Sequence, residues 1–147
     1  MNNVSKGIVA GLVATVVLSI LMVMKNSMGM LPEMDIIKML ASMMGGAIMM
    51  GWAMHFMVGA GYGVALSVFH GMLPGSSLLV KGMVLGVIGW LVMMLMLMPM
   101  MGAGLFGLNF GMMAPVATLM LHVIFGAVLG VSYRMLLGHA DHVHSAA

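Results

Sequence analysis

Two histidines, His55 and His122, are the side chains of this chain best placed to do chemistry, because each stands in a long apolar stretch free of Asp, Glu, Lys and Arg. They open two copies of one pattern, His55-Phe56-Met57-Val58-Gly59-Ala60-Gly61-Tyr62-Gly63-Val64 and His122-Val123-Ile124-Phe125-Gly126-Ala127-Val128-Leu129-Gly130-Val131, identical at five of ten positions. An ionisable group in hydrocarbon is costly, so its presence there points to a function. Neutral imidazole is an axial ligand for haem iron and a good ligand for transition metals. The chemistry to expect of the pair is therefore binding of haem b or of a single transition-metal ion. The plainer alternative is that each ring bonds a backbone carbonyl, Thr118 or Tyr62 and sets helix register, at about 1 kcal/mol per bond.

Other chemistries have less support. The chain has no cysteine, which removes disulfides, thiolate metal sites and thiol nucleophiles together. Its three carboxylates fall in or near loops, and neither an activated serine nor a phosphate-binding glycine loop is present, so no enzyme is expected. Met96, Met98, Met100, Met101, Met112 and Met113 carry soft thioethers suited to Cu(I), but among 25 methionines they read better as adaptable packing. His139, Asp141, His142 and His144 have the residue types of a divalent-metal site, in what reads as a flexible tail over 138–147.

The elements that carry the histidines follow from composition. Five basic and three acidic residues in 147, with 21 glycines and 63% hydrophobic residues, describe an integral membrane protein. The small positive balance gives no reason to expect nucleic acid. Charges and turn residues divide the single domain, 1–147, into four spans at about 7–24, 47–69, 82–101 and 115–136. Pro115 suits the first turn of the last. The segment 33–44 has the pattern of a short interfacial helix, with an ordered loop as the alternative. An even number of spans puts Lys6, Lys81 and Arg134 on one side and Lys25, Lys38, Glu33 and Asp35 on the other. The excess of positive charge makes the side of the termini cytoplasmic, in a cell (inner) membrane. Trp52, Trp90, Tyr133 and Arg134 read as interfacial anchors.

Lys6-Gly7-Ile8-Val9-Ala10-Gly11 also parallels Lys81-Gly82-Met83-Val84-Leu85-Gly86. Together with the histidine pattern this predicts an all-α four-helix bundle built as a tandem repeat of two parallel hairpins. Small residues at spacing four mark packing faces: Gly7, Gly11, Thr15 and Ser19 in span one, Gly51, His55, Gly59 and Gly63 in span two, Thr118, His122, Gly126 and Gly130 in span four. A pseudo-two-fold axis through such a repeat places His55 and His122 at one depth. If spans two and four crossed at Gly59 to Gly63, the rings would lie about 9 Å further along, at roughly 1.5 Å per residue.

Four motifs, Lys6-Gly7-x-x-Ala10-Gly11-x-x-Ala14-Thr15, Pro32-Glu33-x-Asp35, Gly51-Trp52-x-x-His55 and Ala114-Pro115-x-x-Thr118-Leu119-x-x-His122-x-x-x-Gly126, cover most of the chain. Together they resemble a family of small bacterial four-span membrane proteins of unknown function. The resemblance implies a fold and a membrane location, and brings no activity. The methionine content departs from the leucine-rich sequence that such proteins lead one to expect.

The residues favour a non-enzymatic accessory subunit of a larger membrane complex, one concerned with electron transfer, holding a cofactor at His55 and His122. Its partners are the bilayer and other transmembrane helices, in a homo-oligomer or a larger assembly. An oligomeric transporter or channel that uses the histidines as gate or proton relay is the first alternative, weakened by the scarcity of polar groups in the spans. A purely structural assembly protein is the second.

Overall fold

The computed structural model describes residues 2–29 and 34–144, with side chains to Gly138. Pro32 and Glu33 of the second motif, and the side chains of His139, Asp141, His142 and His144, lie outside the described residues. Helix α1 covers Asn3–Ser27 and opens on Asn2, whose side chain accepts from Ser5 N at 2.8 Å. Its two interior hydroxyls are satisfied along the helix: Thr15 Oγ1 donates to Gly11 O and Ser19 Oγ to Thr15 O, each at 2.7 Å. Helix α2, Ile36–Met43, begins at Asp35, which accepts from Ile37 N and Lys38 N, and ends before Gly45 and Gly46, both at positive φ. It is thus shorter than the expected 33–44 segment at both ends.

Helix α3 covers Ile48–Phe69. Helix α4 runs over Leu78–Met100, capped by Ser77, and changes character at Met93–Leu97, where it widens into a π turn. Pro99 accounts for the change. Its ring would strike the Leu95 carbonyl in a regular helix, and the preceding Met98 N–H reaches back five residues to Met93 O. A compact loop follows, pinned by Asn109, whose side chain donates to Gly102 O at 2.9 Å. Helix α5, Met113–His144, takes Pro115 in its first turn. Its backbone remains helical through His144, where the sequence leads one to expect a flexible tail; no proline interrupts the run and Gly138 alone does not end it.

Among the described residues four helices are long and apolar enough to cross a membrane: α1, α3, α4 and α5 as far as Gly138. They pack as two tight pairs. In the first, Gly7 and Gly11 of α1 lie directly on the carbonyls of Gly63 and Gly59 of α3. In the second, Gly82 and Gly86 of α4 lie on the carbonyls of Gly126 and His122 of α5, and Gly130 lies on Leu78 O. A Cβ at any of these glycines would enter a neighbouring backbone, which is how small residues draw helices together in lipid. The glycine faces of α3 and α5 therefore meet α1 and α4, and not each other. Gly51 serves a third contact, against Ile37 O and Ala41 of α2.

Packing partners correspond between the two pairs with a shift. Gly63 meets Gly7 as Gly126 meets Gly82, and Gly59 meets Gly11 as His122 meets Gly86. By packing, His122 thus matches Gly59, and the alignment of histidine on histidine is one helical turn out of register. The pairs are joined through α1 and α5, with Ala10, Ala14, Leu66, Phe125, Leu129 and Tyr133 buried at one end. At the other end Met34, Met94, Met98, Ala103 and Ala114 form a second core. Between α3 and the α4–α5 pair contact is slight, and a space is left there.

Candidate functional site

The space is a cavity of about 270 Å³, and both histidines line it. Its walls are otherwise mostly apolar, with Leu18 and Met22 from α1, Val58 from α3, Val92, Met93 and Leu97 from α4, and Leu121 and Phe125 from α5. Met93 and Leu97 reach it from the π turn, so the irregularity caused by Pro99 shapes the wall. Lys25, Asn26 and Asp35 stand at one end, where Lys25 Nζ donates to Met34 O at 2.9 Å.

His55 is 8% exposed. The edge of its ring meets Trp52 and Phe56, with centroids 6.0 and 5.9 Å away, and its Nε2 lies 3.2 Å from Ser19 Oγ. With the Ser19 hydrogen directed to Thr15 O, which can only accept, the serine oxygen is left to accept from a protonated His55 Nε2. That leaves Nδ1 as a bare acceptor. His122 reaches the same condition by another route. Its Nδ1 lies 2.8 Å from Thr118 O, a carbonyl that only accepts, so Nδ1 is protonated and Nε2 keeps its lone pair. Among the described residues neither remaining nitrogen has a hydrogen-bond partner.

Thr118 supports this wall from behind. Its hydroxyl donates to Ala114 O at 2.7 Å and accepts from Trp90 Nε1 at 3.1 Å. Trp90, expected at the interface, also reaches Pro115 O, so it braces α4 against α5 at the cavity. Tyr133, likewise expected at the interface, is fully buried, and its hydroxyl has no partner. Seven residues along α3 from His55, Tyr62 packs edge-on to Phe125 at 5.4 Å, and its hydroxyl rests on Gly89, where a Cβ would displace it.

The Tyr62–Phe125 contact relates the heights of the two pairs. His55 is seven residues above Tyr62 on α3, and His122 is three above Phe125 on α5. At about 1.5 Å per residue the histidines are staggered by roughly 6 Å. The equal depth expected from a simple two-fold gives way to this stagger because the glycine contacts, and not the histidines, set the register.

The structure thus brings His55, His122 and Thr118 to one cavity, together with Gly59; Gly7, Gly11, Gly63, Gly126 and Gly130 lie in the helix contacts behind it. Ser19, Tyr62 and Gly89 are site residues that the sequence did not single out as such. Ser19 is 36 positions from the ring it holds, and only its place on the small-residue face of α1 hinted at a role. Of the methionines weighed as copper ligands, Met96, Met100, Met112 and Met113 are exposed on the outer surface, and Met98 is buried in the second core. Among the described residues no group of three or more His, Cys, Asp or Glu converges to hold a metal.

No curated protein and no solved structure matches this chain. A family model does match, over residues 1–144, and the chain accordingly belongs to that family of unknown function, DUF6789.

Proposed function

We propose that this protein is a non-enzymatic membrane subunit that holds a cofactor or other small ligand in the cavity between its helix pairs, with His55 and His122 as the polar contacts. One observation carries the reading: two imidazoles 67 positions apart line one mostly apolar cavity, each with one nitrogen satisfied by the protein and one lone pair unused. The carbonyl-bound His122 imidazole is held in one tautomer, as metal-ligating histidines usually are. Haem or a transition-metal ion would take the two unused lone pairs as ligands. Few polar groups line the walls, which disfavours an aqueous pore.

The finer architecture belongs to the same proposal. The two helix pairs descend from a duplicated hairpin, marked by Lys6-Gly7 and Lys81-Gly82 and by the histidine-glycine runs, whose contacts later slipped by one turn. Both termini are cytoplasmic, with Lys6, Lys81 and Arg134 on that side of the inner membrane. The apolar outer surface faces lipid and the helices of a larger complex, one that moves electrons if the ligand is redox-active.

The test is the visible spectrum of the detergent-purified protein, oxidised and dithionite-reduced, with metal analysis of the same sample. A Soret band with sharpened reduced bands, or a stoichiometric metal, lost in His55→Ala and in His122→Ala, is the result that identifies an iron or metal ligand. A protein that binds no haem, metal or organic ligand in a histidine-dependent way would leave helix packing as the work of both residues and end the reading.

A further inference from the structure

Resting on that binding-site reading, we infer that the ligand is a lipid-soluble amphiphile whose ring carries hydroxyl groups, a quinol in its reduced form, and that it enters sideways from the bilayer between α3 and α4.

Proton order at the site selects the class. With His55 Nε2–H directed to Ser19 and His122 Nδ1–H directed to Thr118 O, each neutral ring turns an acceptor to its remaining contact. A quinone carbonyl offers only lone pairs and meets both nitrogens unfavourably. A quinol offers an O–H at each end of its ring, and each unpaired acceptor in apolar surroundings gains a donor. The roughly 6 Å stagger of the histidines along the helices suits a ligand with two separated polar ends better than one ion between opposed rings. Tyr62 OH has no partner among the described residues and faces the same space, where it can give or accept a further bond.

Size and access agree with this class. A cavity of about 270 Å³ is far larger than an ion needs. It falls just below the roughly 300 to 1,000 Å³ typical of pockets that enclose a drug-sized ligand. It therefore suits a single-ring head whose alkyl tail stays outside. The way out is lateral. Val58 on α3 and Val92 on α4 both line the cavity, yet they are 45% and 53% exposed, and the two helices scarcely touch. Below them Tyr62 over Gly89 closes the slot, and the Lys25 to Met34 bond stands at the other end of the cavity. A tail leaving past the valines meets lipid, the solvent in which such ligands travel.

Binding of an alkyl-substituted para-benzoquinol, kept anaerobic, is compared by calorimetry with binding of the same molecule oxidised to the quinone, using the detergent-purified full chain. The wild-type protein is expected to favour the quinol by roughly tenfold or more, the ratio that follows from pairing acceptors otherwise left bare. His122→Phe and His55→Phe keep a ring in the wall and should each lower the preference. Val58→Trp narrows the exposed mouth, outside both cores, and should weaken both redox forms while leaving their ratio unchanged. Equal affinity for the two forms, tighter binding of the quinone, or a preference that survives both histidine variants overturns the inference. Haem or a stoichiometric metal lost in the histidine variants also overturns it and leaves the binding-subunit reading standing. Absence of haem, of metal and of histidine-dependent binding of either redox form together ends both.

Discussion

At the scale of single residues, Ser19 and Thr118 differ in a way that tests the proton order of the site. Ser19 Oγ is the acceptor for His55 Nε2, so Ser19→Ala leaves that N–H without its partner. The change should cost about 1 kcal/mol of stability and lower ligand affinity, read as thermal unfolding in detergent with and without ligand. Thr118→Val removes one of the two acceptors of Trp90 Nε1, leaving Pro115 O, and keeps the backbone carbonyl that holds His122. It should cost a similar amount of stability with the contribution of His122 to binding intact. If Ser19→Ala and Thr118→Val affected binding equally, the assignment of the two tautomers would be wrong. The histidines were legible in the sequence because imidazole is conspicuous among apolar residues. Ser19 was not, since a serine in a small-residue stripe looks the same whether it fills space or holds a ring on another helix.

Helices are the next scale, and here glycines divide sharply by what surrounds them. Gly11 lies on the Gly59 carbonyl and Gly86 on the His122 carbonyl, main-chain atoms that cannot swing aside. Gly61 and Gly71 have open space where a side chain would be. Gly11→Ala and Gly86→Ala should each destabilise the bundle by roughly 1 to 3 kcal/mol. Gly61→Ala, in the middle of α3, should be neutral or slightly stabilising because it removes backbone freedom only. Thermal unfolding of the three variants in one detergent checks the contrast, and equal effects at Gly11 and Gly61 would remove the argument that these contacts set register. Spacing four in the sequence pointed to Gly7, Gly11, Gly59 and Gly63. It could not say that the glycines of α3 serve α1, because a small face carries no label for its partner. Nor did it point to the π turn at Met93–Leu97, which lies inside the span expected over 82–101.

For the molecule as a whole, the order of the four long helices makes a statement about sides of the membrane. Reporters fused after residues 1 and 147 should signal from the same compartment, and one inserted between Gly45 and Gly46 should signal from the other. Termini on opposite sides would mean that one of the four helices does not cross, and the orientation drawn from Lys6, Lys81 and Arg134 would fall with it. The number, approximate extent and apolar character of these helices were legible in composition and charge spacing, because a chain with so few ionic groups has few other ways to satisfy its backbone in lipid. The presence of two notable histidines was legible for the same reason. Their relation was not: the stagger, the cavity, the unused lone pairs and the lateral slot depend on which small face meets which backbone and at what turn. Those contacts join residues tens of positions apart, and a repeat pattern of Gly and His fits two registers one turn apart equally well until the carbonyls opposite the glycines are in place.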